Sequence, residues 1–147
     1  MDNKQKDDIY YVCTMIEFVA RETKNRRSDI ISKISKKSIE HQLKVAGVNH
    51  CLSFEQVADE WIEQYAITEG TFNTIETCRY VVPSVPSIGR VYQQLVLATL
   101  EGKDVAQAII DVFSSFISDE ISNFNTNVYY SNPDYLRCSY EEGRLLA

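Results

Sequence analysis

The chain has 147 residues, which is enough for one hydrophobic core because a chain of this length buries about two-thirds of its unfolded surface. Hydrophobic residues make up 44% and charged residues 24%, with five glycines and three prolines, so disordered, collagen-like and low-complexity classes are excluded. The formal charge of -6 argues against a general electrostatic attraction to nucleic acid or to anionic membranes.

Targeting and redox signals indicate a cytoplasmic protein. No apolar run reaches the roughly 18 residues of a membrane span, and the charged start at Met1–Asp8 is not followed by a signal-peptide pattern. The four cysteines form no CxxC pair and no compact disulfide pattern, so we expect reduced thiols. These cysteines are Cys13, Cys51, Cys78 and Cys138.

Catalytic and metal-binding signatures are weak. His50 and Cys51 are adjacent, and His41 lies upstream, but this spacing matches no zinc motif and provides no activated nucleophile. We therefore expect no enzyme, no catalytic residue, no cofactor and no metal site. A small enzyme or metal protein built on these three residues is the third and least favoured hypothesis.

Four helices are predicted in the first part of the chain. The apolar spacing predicts a first helix from Asp7 to about Lys24. Ser28 is expected to cap a short second helix, and Ser38 a third helix that Gly47 terminates. Ser53, followed three residues later by glutamine, forms a capping-box pattern and predicts a fourth helix that runs to about residue 66.

An irregular connector is predicted over residues 67–87, because Gly70, Pro83 and Pro86 interrupt the helical spacing. Within it, Arg79–Val82 is a candidate extended stretch. Ser87 is then expected to cap a helix that ends near residue 100.

Two further helices are predicted towards the end of the chain. Asp104 and Gln107 repeat the capping-box pattern before a strongly apolar helix that continues to about residue 122. Asn132-Pro133 opens a last short helix, which Gly143 terminates. The sequence therefore predicts an all-α protein of six or seven helices in a small bundle. We expect an N-terminal segment (1–66), the connector (67–87) and a C-terminal segment (88–147), packed as one unit.

Charge is strongly segregated along the chain. Residues 21–44 hold eight basic against three acidic residues, a local charge of +5, which leaves -11 for the remainder. Two short helices in a Lys-rich stretch are compatible with a DNA-binding helix-turn-helix, in which His41 and Gln42 would read base edges. The candidate phosphate or partner contacts are Arg26, Arg27, Lys33, Lys36 and Lys37. A solvated face, or a patch that docks on an acidic partner, is the preferred alternative.

The C-terminal segment is rich in tyrosine, a residue that combines a large apolar ring with a hydroxyl that needs a partner. Such residues are enriched in protein interfaces. The candidate partner surface consists of Tyr129, Tyr130, Asn132 and Tyr135.

Three stretches of the first half carry a family resemblance: Cys13-Thr14-Met15-Ile16-Glu17, Ser28-Asp29-Ile30 and the stretch from His50 to Ile62. Across residues 8–66 the chain resembles a family of short uncharacterised bacterial proteins. That family shares a C-x-x-I-E start, a histidine just before a helix and an end of the form acid-x-[aromatic or Ile]-Ile. The resemblance implies a helical intracellular protein without assigned activity, of a kind often found beside toxin-like proteins, including some similar to ADP-ribosyltransferases.

These observations favour a protein that acts by protein–protein interaction or self-association, as an antitoxin-like or accessory regulator. DNA binding through residues 21–44 is the alternative. A structural or phage-derived component is not distinguished from the first reading by sequence.

Overall fold

The computed structural model describes every residue from Met1 to Ala147, and the chain is all-helical. The elements in chain order are α1 (Asn3–Thr23), α2 (Arg27–Ser32), α3 (Lys36–Asn49), α4 (Phe54–Gln64), α5 (Val85–Ala98), α6 (Val105–Ser114), α7 (Ile117–Ser122), a 3-10 turn (Val128–Tyr130) and α8 (Pro133–Glu142). The all-α prediction is confirmed. The predicted number of six or seven helices is wrong, because there are eight.

The additional helix arises from a break at Ser115, inside the helix predicted to start at Asp104. Ser115 has an extended backbone (φ -81°, ψ 167°). Its hydroxyl donates to the Val112 carbonyl at 2.7 Å and accepts from the Ile117 N–H at 3.3 Å. A serine side chain that bonds the local backbone competes with the helical ladder, so the apolar stretch divides into α6 and α7.

Three predicted N-caps are wrong, because each helix begins earlier than expected. Ser35 caps α3 by accepting the Ser38 N–H at 3.1 Å, and Ser84 caps α5 by accepting the Ser87 N–H at 3.2 Å. In both cases the earlier serine captures the third N–H of the helix and thereby adds a turn. Ser28 lies inside α2, whose N-cap position is Arg26 and has no side-chain cap.

The predicted end of α3 at Gly47 is also wrong, since the helix continues to Asn49. The His50 N–H still donates to the Ala46 carbonyl at 3.0 Å, so the helical ladder passes through the glycine. A glycine in a helix interior costs stability but does not end the helix by itself.

Three other caps are confirmed. Ser53 accepts the Gln56 N–H at 3.1 Å, and Asp104 accepts the Gln107 N–H at 2.9 Å. At α8, Asn132 is the N-cap, proline occupies the first position, and Gly143 ends the helix in a left-handed conformation with φ 84°.

Helix α1 is central to the fold and packs against α5, α3, α4 and α2. Its contact with α5 is very close at Gly89, because a Cβ atom built there would lie 2.0 Å from Thr14 Oγ1 and 3.0 Å from Thr14 Cα. The single core cluster of 31 buried residues draws on both the N-terminal and the C-terminal segment. The two segments therefore share one core.

The connector between α4 and α5 contains no strand, and the extended stretch expected at Arg79–Val82 forms no ladder. Backbone hydrogen bonds hold its first part against the end of α1: the Gly70 N–H donates to the Thr23 carbonyl and the Phe72 N–H to the Lys24 carbonyl, both at 2.8 Å. Its later part lies against the loop that follows α7.

Candidate functional site

An ion pair lies in the core between Glu17 of α1 and Arg27 of α2. Arg27 Nε donates to Glu17 Oε1 at 2.8 Å, and Arg27 Nη2 donates to the other carboxylate oxygen. Arg21 Nε donates to the same carboxylate at 2.7 Å. Burial alone would raise the pKa of Glu17, but the two guanidinium groups outweigh it and hold that pKa below its ordinary value.

The prediction that Arg27 is a phosphate or partner contact is therefore wrong, since its side chain is 2% exposed and bound to Glu17. Glu17 was not predicted from the sequence as a partner of this arginine. A signal was available, because Glu17 lies four residues after Cys13 and three before Ala20, both of which are buried on α1. A charged residue on an apolar helix face indicates a buried partner of opposite charge.

The other basic residues of segment 21–44 are largely paired within the chain. Arg26 pairs with Asp119 of α7 and lies over the Phe72 ring, 4.6 Å from its centroid. Lys36 pairs with Asp104 at 2.7 Å, and Lys24 pairs with Glu69 at 3.4 Å. The three basic residues of the segment that have no carboxylate partner are Lys33, Lys37 and Lys44.

The two residues expected to read base edges differ in exposure. Gln42 is buried, and its Nε2 donates to the Tyr65 hydroxyl at 2.8 Å, so it is not available to a base. His41 is exposed on α3. The prediction for Gln42 is therefore wrong, because the face of α3 that carries it packs into the core.

The histidine and cysteine side chains do not form a cluster. Cys51 is exposed, and His50 occupies the C-cap position of α3. Cys13 is fully buried, and burial raises the pKa of its thiol. No group of three or more His, Cys, Asp or Glu side chains is arranged so that it could hold a metal ion.

Tyr129 and Tyr130 take part in an exposed aromatic surface, together with Tyr80 and Val81 of the connector. We call these four residues the tyrosine surface. Tyr80, Val81 and Tyr130 are 66%, 88% and 67% exposed. They border a groove of about 440 Å³ whose lining contains no charged residue. The full lining is Tyr80, Val81, Phe124, Asn125, Thr126, Asn127, Tyr129 and Tyr130.

Asn125 holds the two sides of the groove together. Its Oδ1 accepts the Arg79 N–H at 2.8 Å, and its Nδ2 donates to the Thr77 carbonyl at 3.0 Å. On the other side, Tyr129 packs edge-on against Phe124 and Tyr130, with ring centroids 5.7 and 4.8 Å apart. Contacts within the chain therefore hold both sides of the groove in place.

The remaining two residues of the predicted partner surface have structural contacts of their own. Asn132 caps α8 by accepting the Asp134 N–H at 2.8 Å. The Tyr135 hydroxyl donates to the Leu146 carbonyl at 2.9 Å and ties the C-terminal residues to α8. Tyr80 and Val81 were not predicted as surface residues, because the pattern of Arg79–Val82 indicates an extended stretch and gives no local signal of its exposure.

None of the helices combines the length and apolar character needed to cross a membrane. Comparison with protein-family models, with curated proteins and with solved structures finds no match to this chain. The class that the fold defines, an all-α helical bundle, therefore rests on the structure of the chain itself.

Proposed function

We propose that this protein acts in the bacterial cytoplasm by binding another protein through the tyrosine surface, as a non-catalytic accessory or antitoxin-like regulator. The observation that carries the proposal is the exposure of Tyr80, Val81 and Tyr130 around an uncharged groove. Large exposed apolar side chains grouped in this way mark interaction sites on soluble proteins.

The composition of the groove supports a protein partner. The centres of protein interfaces are enriched in tyrosine and depleted of charged residues, and the lining of this groove has both properties. Because the Asn125 hydrogen bonds already order the connector against the loop, the partner would not have to order it on binding.

The residues that line the groove also indicate which groups of a partner would bind there. An aromatic or branched aliphatic side chain of the partner would insert between Tyr80 and Tyr130, and polar groups would meet the amides of Asn125 and Asn127. The resemblance of the first half to proteins found beside toxin-like neighbours makes the product of an adjacent gene the first candidate. A net charge of -6 would favour the approach of a basic partner.

The test is co-expression with the product of the adjacent gene, followed by light scattering and calorimetry on the purified complex. The double variant Tyr80→Ser with Tyr130→Ser should weaken binding by a factor of about 30 or more, because interface tyrosines often contribute more than about 2 kcal/mol. Val48→Ser is the matched control, since Val48 is 73% exposed and lies on α3 outside the groove.

Two outcomes would contradict the proposal. One is a complex that forms equally well with the double variant, because the partner would then bind elsewhere. The other is a strict monomer that binds no neighbouring gene product. A homodimer disrupted by the double variant would assign the groove to self-association instead.

DNA binding through α2 and α3 is the second candidate, favoured by the three-residue connection between these helices and by the exposed Lys37 and His41 on α3. The pairing of Arg26, Arg27 and Lys36 with carboxylates argues against it. A gel shift with the upstream region of the operon decides the matter. Affinity at low salt that falls steeply with added salt would support DNA binding, and no affinity would exclude it.

A further inference from the structure

A second cavity of about 480 Å³ lies among the first turns of α1, the last turns of α3, the beginning of α4 and the first turns of α5. No residue of the tyrosine surface lines it. Its volume falls within the range of about 300–1,000 Å³ that is typical of small-molecule sites. Such sites often form between the helices of a bundle.

Three aromatic side chains, Tyr10, Tyr11 and Phe54, provide walls of this cavity. The Tyr11 and Phe54 rings lie 6.5 Å apart at a tilt of 54°. Burial, with a smaller contribution from the charge of Glu60, raises the pKa of Tyr11 to about 12. These walls suit a flat apolar group.

Two side chains of opposite charge, Arg90 and Asp7, also line the cavity, and neither forms an ion pair. The Arg90 guanidinium lies over the Tyr10 ring, 3.9 Å from its centroid, and its Nη1 donates to the neutral amide of Gln93 at 2.7 Å. Asp8 is paired with Lys4 at 3.0 Å, whereas Asp7 forms no salt bridge. The cavity therefore offers one unpaired guanidinium and one unpaired carboxylate.

The α3 side of the cavity is left open by Gly47. A Cβ atom built at this position meets no other atom within 4 Å, although the neighbouring Ala46 is buried. A glycine costs about 1 kcal/mol relative to alanine in a helix interior. The absence of a side chain leaves this part of the cavity unoccupied.

We propose that this cavity binds a small zwitterion with a planar ring, of the class of the aromatic α-amino acids. The ring packs against the Tyr11 and Phe54 side chains, the carboxylate binds Arg90, and the ammonium group binds Asp7. A guanidinium suits carboxylate recognition because it presents donors in a planar fork. The two charged contacts then fix the direction in which the ring enters.

The test uses L-phenylalanine as the probe, with saturation-transfer NMR and a titration of protein amide shifts on the full chain. Three control molecules each lack one group: L-alanine lacks the ring, phenethylamine lacks the carboxylate and 3-phenylpropionate lacks the ammonium group. L-phenylalanine should bind at least about tenfold more tightly than each control. A lost contact that contributes about 1.4 kcal/mol to the binding free energy raises the Kd by a factor of ten.

Two variants connect the binding to this cavity. Gly47→Leu should abolish binding by filling the open side, and Gly47→Ala is the matched control that keeps most of the volume. Asp7→Asn should weaken L-phenylalanine binding about tenfold while leaving 3-phenylpropionate binding unchanged, because only the ammonium group contacts Asp7. Circular dichroism checks that each variant keeps its helices.

The proposal is overturned if L-phenylalanine gives no transfer and no shift changes. Equal binding of L-alanine, or binding that Gly47→Leu leaves unchanged, would overturn it as well. The cavity and the tyrosine surface share no residue. Failure of the amino-acid proposal therefore does not affect the proposed protein interaction, and failure of the protein interaction does not affect the amino-acid proposal.

Discussion

Arg27 of α2 donates two hydrogen bonds to Glu17 of α1 inside the hydrophobic core. This pair connects the two helices and removes one positive charge from the basic segment. A buried ion pair is often no more stabilising than a well-packed apolar pair, but the loss of one partner is costly because it leaves a charge buried.

We expect Arg27→Leu to lower the free energy of unfolding by about 3–5 kcal/mol, because the Glu17 carboxylate would keep only Arg21 as a partner. Urea denaturation followed by circular dichroism measures the change. The double variant Glu17→Leu with Arg27→Leu is the control. It should be less destabilised than Arg27→Leu, because no uncompensated carboxylate remains in the core. If it is equally unstable, the cost lies in packing rather than in the buried charge.

The Glu17 contribution to stability should depend on pH. The folded pKa of Glu17 is lowered by Arg27 and Arg21, and its unfolded pKa is about 4.3. A carboxylate whose pKa is lower in the folded state contributes its full stabilisation at pH values above its unfolded-state pKa. This contribution is lost as the pH falls through the folded-state pKa. The difference in unfolding free energy between wild type and Glu17→Gln should therefore be constant near neutrality and shrink below about pH 4.3. A difference that does not vary with pH would contradict the ionised state of Glu17.

Two glycines on helices should respond oppositely to the same substitution. Gly89→Ala should destabilise the fold by about 1–3 kcal/mol, because its Cβ would lie 2.9 Å from Thr14 Cβ and 3.0 Å from Thr14 Cα, and α1 and α5 would have to separate. Gly47→Ala should stabilise it by about 0.5–1 kcal/mol, since the new Cβ meets no atom. Urea unfolding of the two variants in parallel tests both signs. A neutral Gly89→Ala would show that the two helices do not pack this closely.

The tyrosine surface should lose its order when Asn125 is replaced. Asn125→Ala removes two hydrogen bonds to the connector, each of which contributes about 0.5–1.5 kcal/mol. Amide hydrogen exchange at Arg79 should accelerate, and partner binding should weaken. Asn127→Ala is the matched control for the exchange measurement, because the Asn127 side chain lines the same groove and the connector hydrogen bonds are made by Asn125. Equal exchange rates in the two variants would mean that Asn125 does not hold the connector in place.

Local features of this fold were predictable from the sequence. The all-α class follows from apolar spacing, and the caps at Ser53, Asp104 and Asn132 follow from residues within three positions of each other. Where two serines compete for one helix start, as at Ser35 and Ser38, the pattern alone does not choose between them. The first serine prevails because it adds a turn to the helix.

The sequence by itself determined the helical class, most helix positions and the segregation of charge. Only the tertiary structure decided which charged side chains form ion pairs and which remain unpaired. Arg27 meets Glu17 across 10 positions, and Arg26 meets Asp119 across 93. The groove likewise joins the connector to a loop 46 residues later through Asn125. Such pairings depend on how α1, α2 and α7 pack, and residues distant in the chain carry no local signal of the partner they will meet.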